Sequence, residues 1–564
     1  MQKVIVCFTV LVESSPQAVP LGSGCIASSL KQSKLISDKY DVEIVSISRE
    51  EKDFSVTKCI DKICCNNEIS FFLPGIYVWN RSVIEEVCAQ IKKRFPNCII
   101  IGGGPECTAN PFGFTNIDYV VAGQGEDACR ELIEQLILNP DFKEINIQGV
   151  YAGAVCKNCK SKAVPGFALA KIPDLQNLSS PYLDGTLELK KEGGALWELA
   201  RGCPFKCSYC YESKGEKKIH YFPQQRLEKE LELFAAKEIN QVFVLDPTYN
   251  ANKERALELL KLIKQKAPGI FFYFEARAEF IDRNLAKGFA QIPCSLQIGL
   301  QSCDEQVLQI VHRGFDKQKF LRGVNILNQE GVNFGFDLIY GLPGDSLNGF
   351  KKSIDFALGL YPNNLELFPL SVLPGTDLYD RRHELKIQFL ETPPYSILGT
   401  EKMGCLELEK ARVISFATRL FYTQGRAVPW FNTLCRSLKC RPSQLCDDFA
   451  KYLDDKKINN HLDCSNFEFE RIMEMQIDFV KEKFLSKNMQ KLFLPMENLI
   501  KLNGAFSCTV NDGSTQTVNL NYHPQEVFSE YATDLNYFAK NVRTYNCKVK
   551  TFAGNNGPDW KIIK

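Results

Sequence analysis

Short apolar runs alternate with helical spacings along the first 140 residues. Lys3–Val12 reads as a strand, Leu21–Ser33 as a helix and Val42–Ile47 as a second strand. A third, Ser70–Val78, is interrupted by Pro74-Gly75, and Val83–Arg94 carries Val83, Val87 and Ile91 on one helical face. Cys98–Ile101 is short, fully apolar and runs into Gly102-Gly103-Gly104. Asp118–Ala122 is followed by Gly123-Gln124-Gly125-Glu126 and a helix to about Leu138. Fully apolar strands between helices imply a parallel sheet covered on both faces. Ligands of such sheets sit beyond the C-terminal strand ends, where the glycines at 102–104, 123 and 125 stand.

The pattern loosens over 141–194, where Val150–Val155 and Lys162–Val164 read as a hairpin around Cys156 and Cys159. From 195 to about 372, strand and helix alternate again. The expected strands are Ala195–Ala200, Gln241–Leu245, Ile270–Ala276, Ser295–Leu300, Asn333–Ile339 and Leu365–Val372. Between them stand helices such as Arg226–Ala236, Glu254–Ile263, Lys317–Asn328 and Gly349–Leu358. Six parallel units are too few for a closed eight-stranded barrel, so an open, partial barrel is expected, with its site at the C-terminal strand ends. Beyond 400 the pattern is mixed. Leu406–Tyr422 and Phe467–Phe484 are helical, and Ala505–Thr509 and Thr515–Leu520 flank Asn511-Asp512-Gly513 as a hairpin. The expected class is α/β: a Rossmann-like domain over 1–140, a connector over 141–194, a partial (β/α)6 TIM-like barrel over 195–380 and a mixed α+β domain over 400–564.

Composition narrows this little except for cysteine. The chain has 564 residues, 45% hydrophobic and 24% charged, the mix of a soluble protein of three or four domains. A net charge of +1 argues against a chain-wide basic field and so against nucleic acid as a partner. No apolar run reaches the roughly 18–20 residues that span a bilayer, so no membrane partner is expected. Lys3 and the apolar run after it resemble a secretory leader, but Glu13 follows at once with no small-residue cleavage site, so a buried strand and a cytoplasmic location are expected. Cysteine is abundant, at 23, and in such a chain most thiols stay reduced, which raises the question of metal. Histidine is scarce: five in all, none before His220.

The sharpest motif is Arg201-Gly202-Cys203-Pro204-Phe205-Lys206-Cys207-Ser208-Tyr209-Cys210, a C-x3-C-x2-C loop directly after the first barrel strand. Such a loop aims three thiolates at one cuboidal iron–sulfur cluster, leaving one iron open to a ligand. A structural zinc site is the alternative; it needs four protein ligands, and the next candidate is His220.

This loop resembles the signature of the radical S-adenosylmethionine (SAM) superfamily. Further matches stand at successive strand ends: Leu245–Asn250, Glu275-Ala276-Arg277, Ile298–Ser302 with Arg313-Gly314, Phe336–Gly344 and Leu373–Thr376. The resemblance covers about 190–380. It implies a [4Fe-4S] cluster on Cys203, Cys207 and Cys210, with SAM chelated by the open iron. Tyr209 would lie beside the adenine, and Asp246 near the amino group. Glu275, Gln301 and Asp337 would serve ribose hydroxyls or the amino group, and Arg313 the carboxylate.

The N-terminal domain is similar to the cobalamin-binding domain that precedes the barrel in one radical SAM class. The matching stretches are Pro20-Leu21-Gly22, Tyr77-Val78-Trp79-Asn80, Ile101–Glu106 and Tyr119–Glu126. The resemblance puts Leu21, Gly22, Tyr77, Trp79, Gly102, Gly103, Gly104, Gly123, Gly125 and Glu126 against cobalamin. With no histidine in 1–219, this domain has no imidazole to offer cobalt. Gly123–Ala128 also fits the G-x-G-x-x-A of dinucleotide folds, but after a late strand rather than the first.

The resemblance implies a cobalamin-dependent radical SAM methyltransferase acting on an unactivated carbon, through a 5′-deoxyadenosyl radical and methylcobalamin. Three alternatives stand beside it: a cobalamin-dependent rearrangement or cyclisation, a tRNA methylthiotransferase with a second cluster on Cys7, Cys25 and Cys59, and a cobalamin sensor with an inactive barrel. A small-molecule or peptide substrate and an electron donor such as flavodoxin or ferredoxin are the expected partners; no catalytic side chain is singled out. Cys435, Cys440, Cys446 and Cys464 are loosely spaced candidates for an auxiliary cluster, and the aromatics of Phe416–Phe431 for a cavity lining or plain core.

Overall fold

Lys3–Leu11 (β1) is buried on both faces for most of its length, which is why it reads as an unbroken apolar run. Val4, Val6, Phe8 and Val10 pack to one side with Ile84, Val87 and Ile91 of helix Arg81–Arg94. Ile5 and Cys7 pack to the other with Leu30 of helix Leu21–Gln32 (α1) and Leu132 and Ile133 of helix Gly125–Leu138 (α2). Removing the ring of fully buried Phe8 by Phe8→Ala should cost roughly 3–5 kcal/mol. The computed structural model describes residues 3–65, 68–140, 142, 144–156, 160–161, 168–212, 218–461, 463–554 and 557–563.

By contacts the chain divides into two compact units. The first comprises Met1–Leu296, Val311–Arg313 and Ser371–Ile397; the second comprises Gln297–Ile310, Gly314–Leu370 and Leu398–Lys564.

In the first unit β1 is joined by Asp41–Ser48 (β2), Glu68–Pro74 (β3), Ile99–Gly102 (β4), Tyr119–Val121 (β5) and Val150–Ala152 (β6). Their order is β2-β1-β3-β4-β5-β6, parallel except for β6, which runs antiparallel to β5. The order turns about β1 and β3, the point at which an open α/β sheet leaves a crevice for a ligand. A helix not read from the sequence, Val56–Ile63, is capped by the Ser55 side chain accepting from Lys58 N.

The same unit holds three strands of the βα repeat, Gly194–Trp197 (β7), Gln241–Val244 (β8) and Phe271–Ala276 (β9), with β8 parallel to both neighbours. The expected strand Ala195–Ala200 is broken after Trp197. Ala200-Arg201 instead pairs antiparallel with His220-Tyr221, because Asp246 Oδ1 draws in the Leu199 and Ala200 amides at 2.9 and 3.1 Å. The next strand, Cys294–Gln301 (β10), begins in the first unit and ends in the second. In the second unit Asn333–Tyr340 (β11) and Asn364–Pro369 (β12) run parallel, Asp337 level with Glu366. Helices Gln224–Ala236, Lys253–Lys266, Lys317–Glu330 and Leu347–Leu358 follow their strands as expected.

The C-terminal part is mixed α+β, with strands Gln516–Leu520, Cys547–Gly554 and Gly557–Ile563 in an antiparallel sheet. One expectation fails here. Ala505–Thr509 is not a hairpin strand; it lies inside helix Phe493–Asp512, whose end is Gly513 at φ 69°. Asn511-Asp512-Gly513 is a helix stop, since a left-handed glycine ends a helix as readily as it turns a hairpin. Leu499, Leu502, Ala505 and Cys508 are buried at helical spacing. The proposed hairpin at 150–164 falls partly on undescribed residues, Cys159 among them; Val150–Ala152 pairs with β5. Among the described residues no helix is long and apolar enough to cross a membrane.

Candidate functional site

The cysteine loop begins at Gly202, whose φ of 97° turns the chain sharply out of Ala200-Arg201. Ser208 tethers its far side: its amide donates to Val311 O at 2.9 Å, and its carbonyl accepts from Leu378 N at 2.8 Å. Cys203 and Cys207 are buried and Cys210 half-buried, and none of the three is in a disulfide. Burial, with the neighbouring thiols adding to it, raises Cys203 and pushes Cys210 up to about 12. A metal centre here would therefore have to displace thiol protons. Among the described residues no group of three or more His, Cys, Asp and Glu side chains is arranged to hold a single metal ion. Ser208 Oγ, between the second and third cysteines, is buried without a hydrogen-bond partner.

The strand-end residues fall into distinct places. In the first unit Arg313 Nη1 lies 3.8 Å from Cys207 Sγ and 3.5 Å from the Tyr209 hydroxyl, so Tyr209 and Arg313 flank the cysteine loop together. Asp246 sits behind that loop, bonded to its entry, and burial outweighs those two amides to raise its carboxyl to about 7. Glu275 is exposed at the end of β9. Asn250, fully buried, ties the ends of β8 and β9 by bonds to Arg277 N and O. In the second unit Gln301 ends β10 at φ 68°, and its Oε1 is buried with no hydrogen-bond partner. Asp337 accepts from Gln297 Nε2, beside Glu366, which pairs with Arg419 at 2.8 Å.

The second set of predicted residues meets in one place. A cavity of about 790 Å³ opens at the C-terminal ends of β1, β3, β4 and β5, within the first unit. Its floor is glycine: Gly22 from α1, Gly102 at the end of β4 with Gly103 and Gly104 after it, Gly123 before α2 and Gly125 at its first position. A Cβ on Gly103 would meet nothing within 4 Å, whereas one on Gly104 (φ 100°) would press on Ile76 O at 2.7 Å. Leu21, Tyr77 and Trp79 line one side. Glu126, in the first turn of α2, stands on another.

The far wall comes from the βα repeat and was missing from the sequence-based site: Leu196, Glu198, Arg201, Glu212, Phe243 and Leu245. Arg201 stood in the quoted motif; only folding shows that its guanidinium reaches Glu126 at 2.7 Å and Gln124 at 2.9 Å. Glu212 is exposed to the cavity, and partial desolvation there, with the Glu198 charge adding to it, raises its pKa. Among the described residues the lining contains no histidine. Cys7 and Cys59 lie in cores on opposite faces of the sheet, which separates two of the three cysteines considered for a second cluster. Cys464 is buried against Phe416 O, and Trp430 and Phe431 are fully buried core.

Residues 197–357, which contain the cysteine loop, match the model of the radical SAM superfamily. The chain is 26% identical over 390 residues to the cobalamin-dependent radical SAM methyltransferase TokK of Streptomyces tokunonensis, covering 64% of this chain and 54% of that protein. It thus spans about half the length of that curated relative. Its fold is shared with the radical SAM methyltransferase TsrM of Kitasatospora setae, solved with tryptophan substrate and a SAM analogue bound (TM-score 0.56, 15% identity, covering 72% of this chain and 81% of that one). It is shared too with the cobalamin-dependent radical SAM enzyme OxsB, solved with aqua-cobalamin and SAM (TM-score 0.55, 14% identity, covering 86% and 80%).

Proposed function

We propose that this chain is a cobalamin-dependent radical SAM methyltransferase that methylates an unactivated carbon of a small molecule or peptide. The observation that carries the reading is the glycine-floored cavity, whose far wall is Arg201, two residues before the first cysteine. Its polar lining suits a corrin. Glu13 and Glu212 offer acceptor oxygens to the primary amides that ring the macrocycle, and the glycines admit a flat face. In this reading residues 1–140 hold the corrin, 141–194 connect, 195–380 hold cluster and SAM, and 400–564 form the remaining domain.

When bound, the cluster with SAM supplies a radical and the corrin a transferable methyl group. Cys203, Cys207 and Cys210 would hold the cluster, and the burial of Cys203 and Cys207 would limit access of water. Tyr209 would serve the adenine. Arg313 holds its charge beside the Cys207 thiol and the Tyr209 hydroxyl, placed for the SAM carboxylate. Gln301 offers a polar group at the end of β10 and Asp337 one within β11, and Asp246 holds the entry of the loop from behind. The electron comes from a donor such as flavodoxin or ferredoxin in the cytoplasm.

The test is anaerobic reconstitution with iron, sulfide and hydroxocobalamin, read by ultraviolet–visible spectrum. Both chromophores should appear, with SAM cleaved to 5′-deoxyadenosine. The triple variant Cys203→Ala, Cys207→Ala, Cys210→Ala should lose the cluster bands and the cleavage. Full iron in that variant would place the ligands elsewhere. Product mass separates methyl transfer from rearrangement or cyclisation.

A further inference from the structure

Arg201 has no role in the reading so far beyond its place in the wall, yet it is the most heavily bonded side chain there. It is 8% exposed. Its Nε and Nη2 clasp both oxygens of Glu198 at 3.0 and 2.9 Å. The same Nη2 lies 2.7 Å from Glu126 Oε1, and Nη1 donates to Gln124 Oε1 at 2.9 Å. One face of the guanidinium stands over the Phe222 ring, 5.6 Å from its centroid. Only a planar fork can make these bonds at once; an ammonium, a point charge on a flexible stem, cannot. Burying a charge is tolerated when it is paired in this way and penalised when a partner leaves, so the contacts hold or fail together.

The backbone makes that network mechanical. Arg201 is held in the ladder opposite His220, and Gly202 turns the chain at φ 97° straight into Cys203. At the other end of the fork, Gln124 and Glu126 lie on the loop that enters α2, with Gly123 at φ 102° and its Cβ position 2.7 Å from Ala170 backbone atoms. A ligand in the cavity touches this loop and the Arg201 wall together. Any change in how Gln124 and Glu126 are bonded passes to the first residues of the cysteine loop through a single rigid side chain.

We propose that Arg201 is a positioning residue that couples occupancy of the cavity to the geometry of the cysteine loop, so that cobalamin binding alters the environment of the cluster. The proposal rests on the assignment of cobalamin to the cavity and of the cluster to Cys203, Cys207 and Cys210. Arg201 touches no reacting atom in this scheme; it acts through the loop.

The experiment is paramagnetic resonance of the one-electron-reduced cluster, recorded with and without hydroxocobalamin. It is applied to the reconstituted full chain and to Arg201→Lys and Glu126→Gln, with iron and bound cobalamin measured on each sample. The native protein should show cluster g-values that shift on adding cobalamin. Arg201→Lys, with full iron and bound cobalamin, should lose that shift; Glu126→Gln, which alters only the cavity end of the fork, should lose it too. A shift retained in both variants overturns the coupling while leaving cobalamin in its cavity, as does a native protein that binds cobalamin with no shift. A native protein that binds none overturns the assignment of the cavity, and the coupling with it. Loss of iron in both variants reduces Arg201 to a structural support of the loop and also overturns the proposal.

Discussion

The rings of Tyr77 and Trp79 stack with centroids 4.5 Å apart and planes 13° from parallel, on the loop leaving β3. Trp79 Nε1 is already committed to Val10 O at 2.9 Å, and Asn80 pins the loop through Tyr77 N and Gly75 O. Two aromatic residues held this firmly give the cavity a wall of flat carbon surface. Among the described residues the lining offers no imidazole nitrogen, and no histidine precedes residue 220 in the sequence.

Cobalt bound here is expected to have its own benzimidazole displaced and no imidazole from this domain in its place. Paramagnetic resonance of the one-electron-reduced cobalamin in the reconstituted chain is expected to show cobalt lines without nitrogen hyperfine splitting. Clear nitrogen splitting would mean that an axial nitrogen remains on the metal.

The glycine floor separates two effects of a side chain. Gly103→Phe should fold, since its Cβ meets nothing within 4 Å, and should lower corrin content by filling the cavity. Gly104→Ala should instead lower the melting temperature, because φ 100° is strained for alanine and its Cβ would meet Ile76 O at 2.7 Å. A Gly103→Phe protein with full corrin and an unchanged melting temperature would show that the ligand does not use this floor.

Gln301 trades stability for a poised side chain. A left-handed non-glycine residue costs roughly 1–2 kcal/mol, and its buried Oε1 has no partner. Gln301→Gly should stabilise the cluster-free protein by roughly 0.5–1 kcal/mol, after the entropy that glycine loses on folding. It should also weaken SAM binding to the reconstituted enzyme. Equal SAM affinity by calorimetry would remove Gln301 from the cofactor contacts.

Burial raises the Asp246 carboxyl from an ordinary value near 4 to about 7. The folded protein then binds a proton that the unfolded chain has released, so stability falls as pH rises from about 4 to 7 and levels off above. Asp246→Asn should be free of that fall. Its melting temperature relative to the native protein should rise across this window, by the equivalent of a free energy on the order of 4 kcal/mol. Parallel pH profiles for the two proteins would show that Asp246 does not titrate in this range.

Much of this architecture is local, and local signals are readable along a chain. The apolar run of β1, the glycines after β4 and before α2, and the C-x3-C-x2-C loop each follow from residues within a dozen positions. So did most strands and helices of the βα repeat, because a strand buried on both faces and a one-sided helix leave distinct periods. Where one local signal serves two structures, reading failed: Asn511-Asp512-Gly513 ends a helix whose buried side is set by packing, not by the turn. The far wall of the cavity was out of reach for another reason. Arg201 and Glu126 are 75 positions apart in sequence, and nothing in either neighbourhood says that they meet. Their pairing is a product of burial, because charges enclosed together must find each other, and which ones are enclosed is decided only when the sheet and the cysteine loop close around the same space.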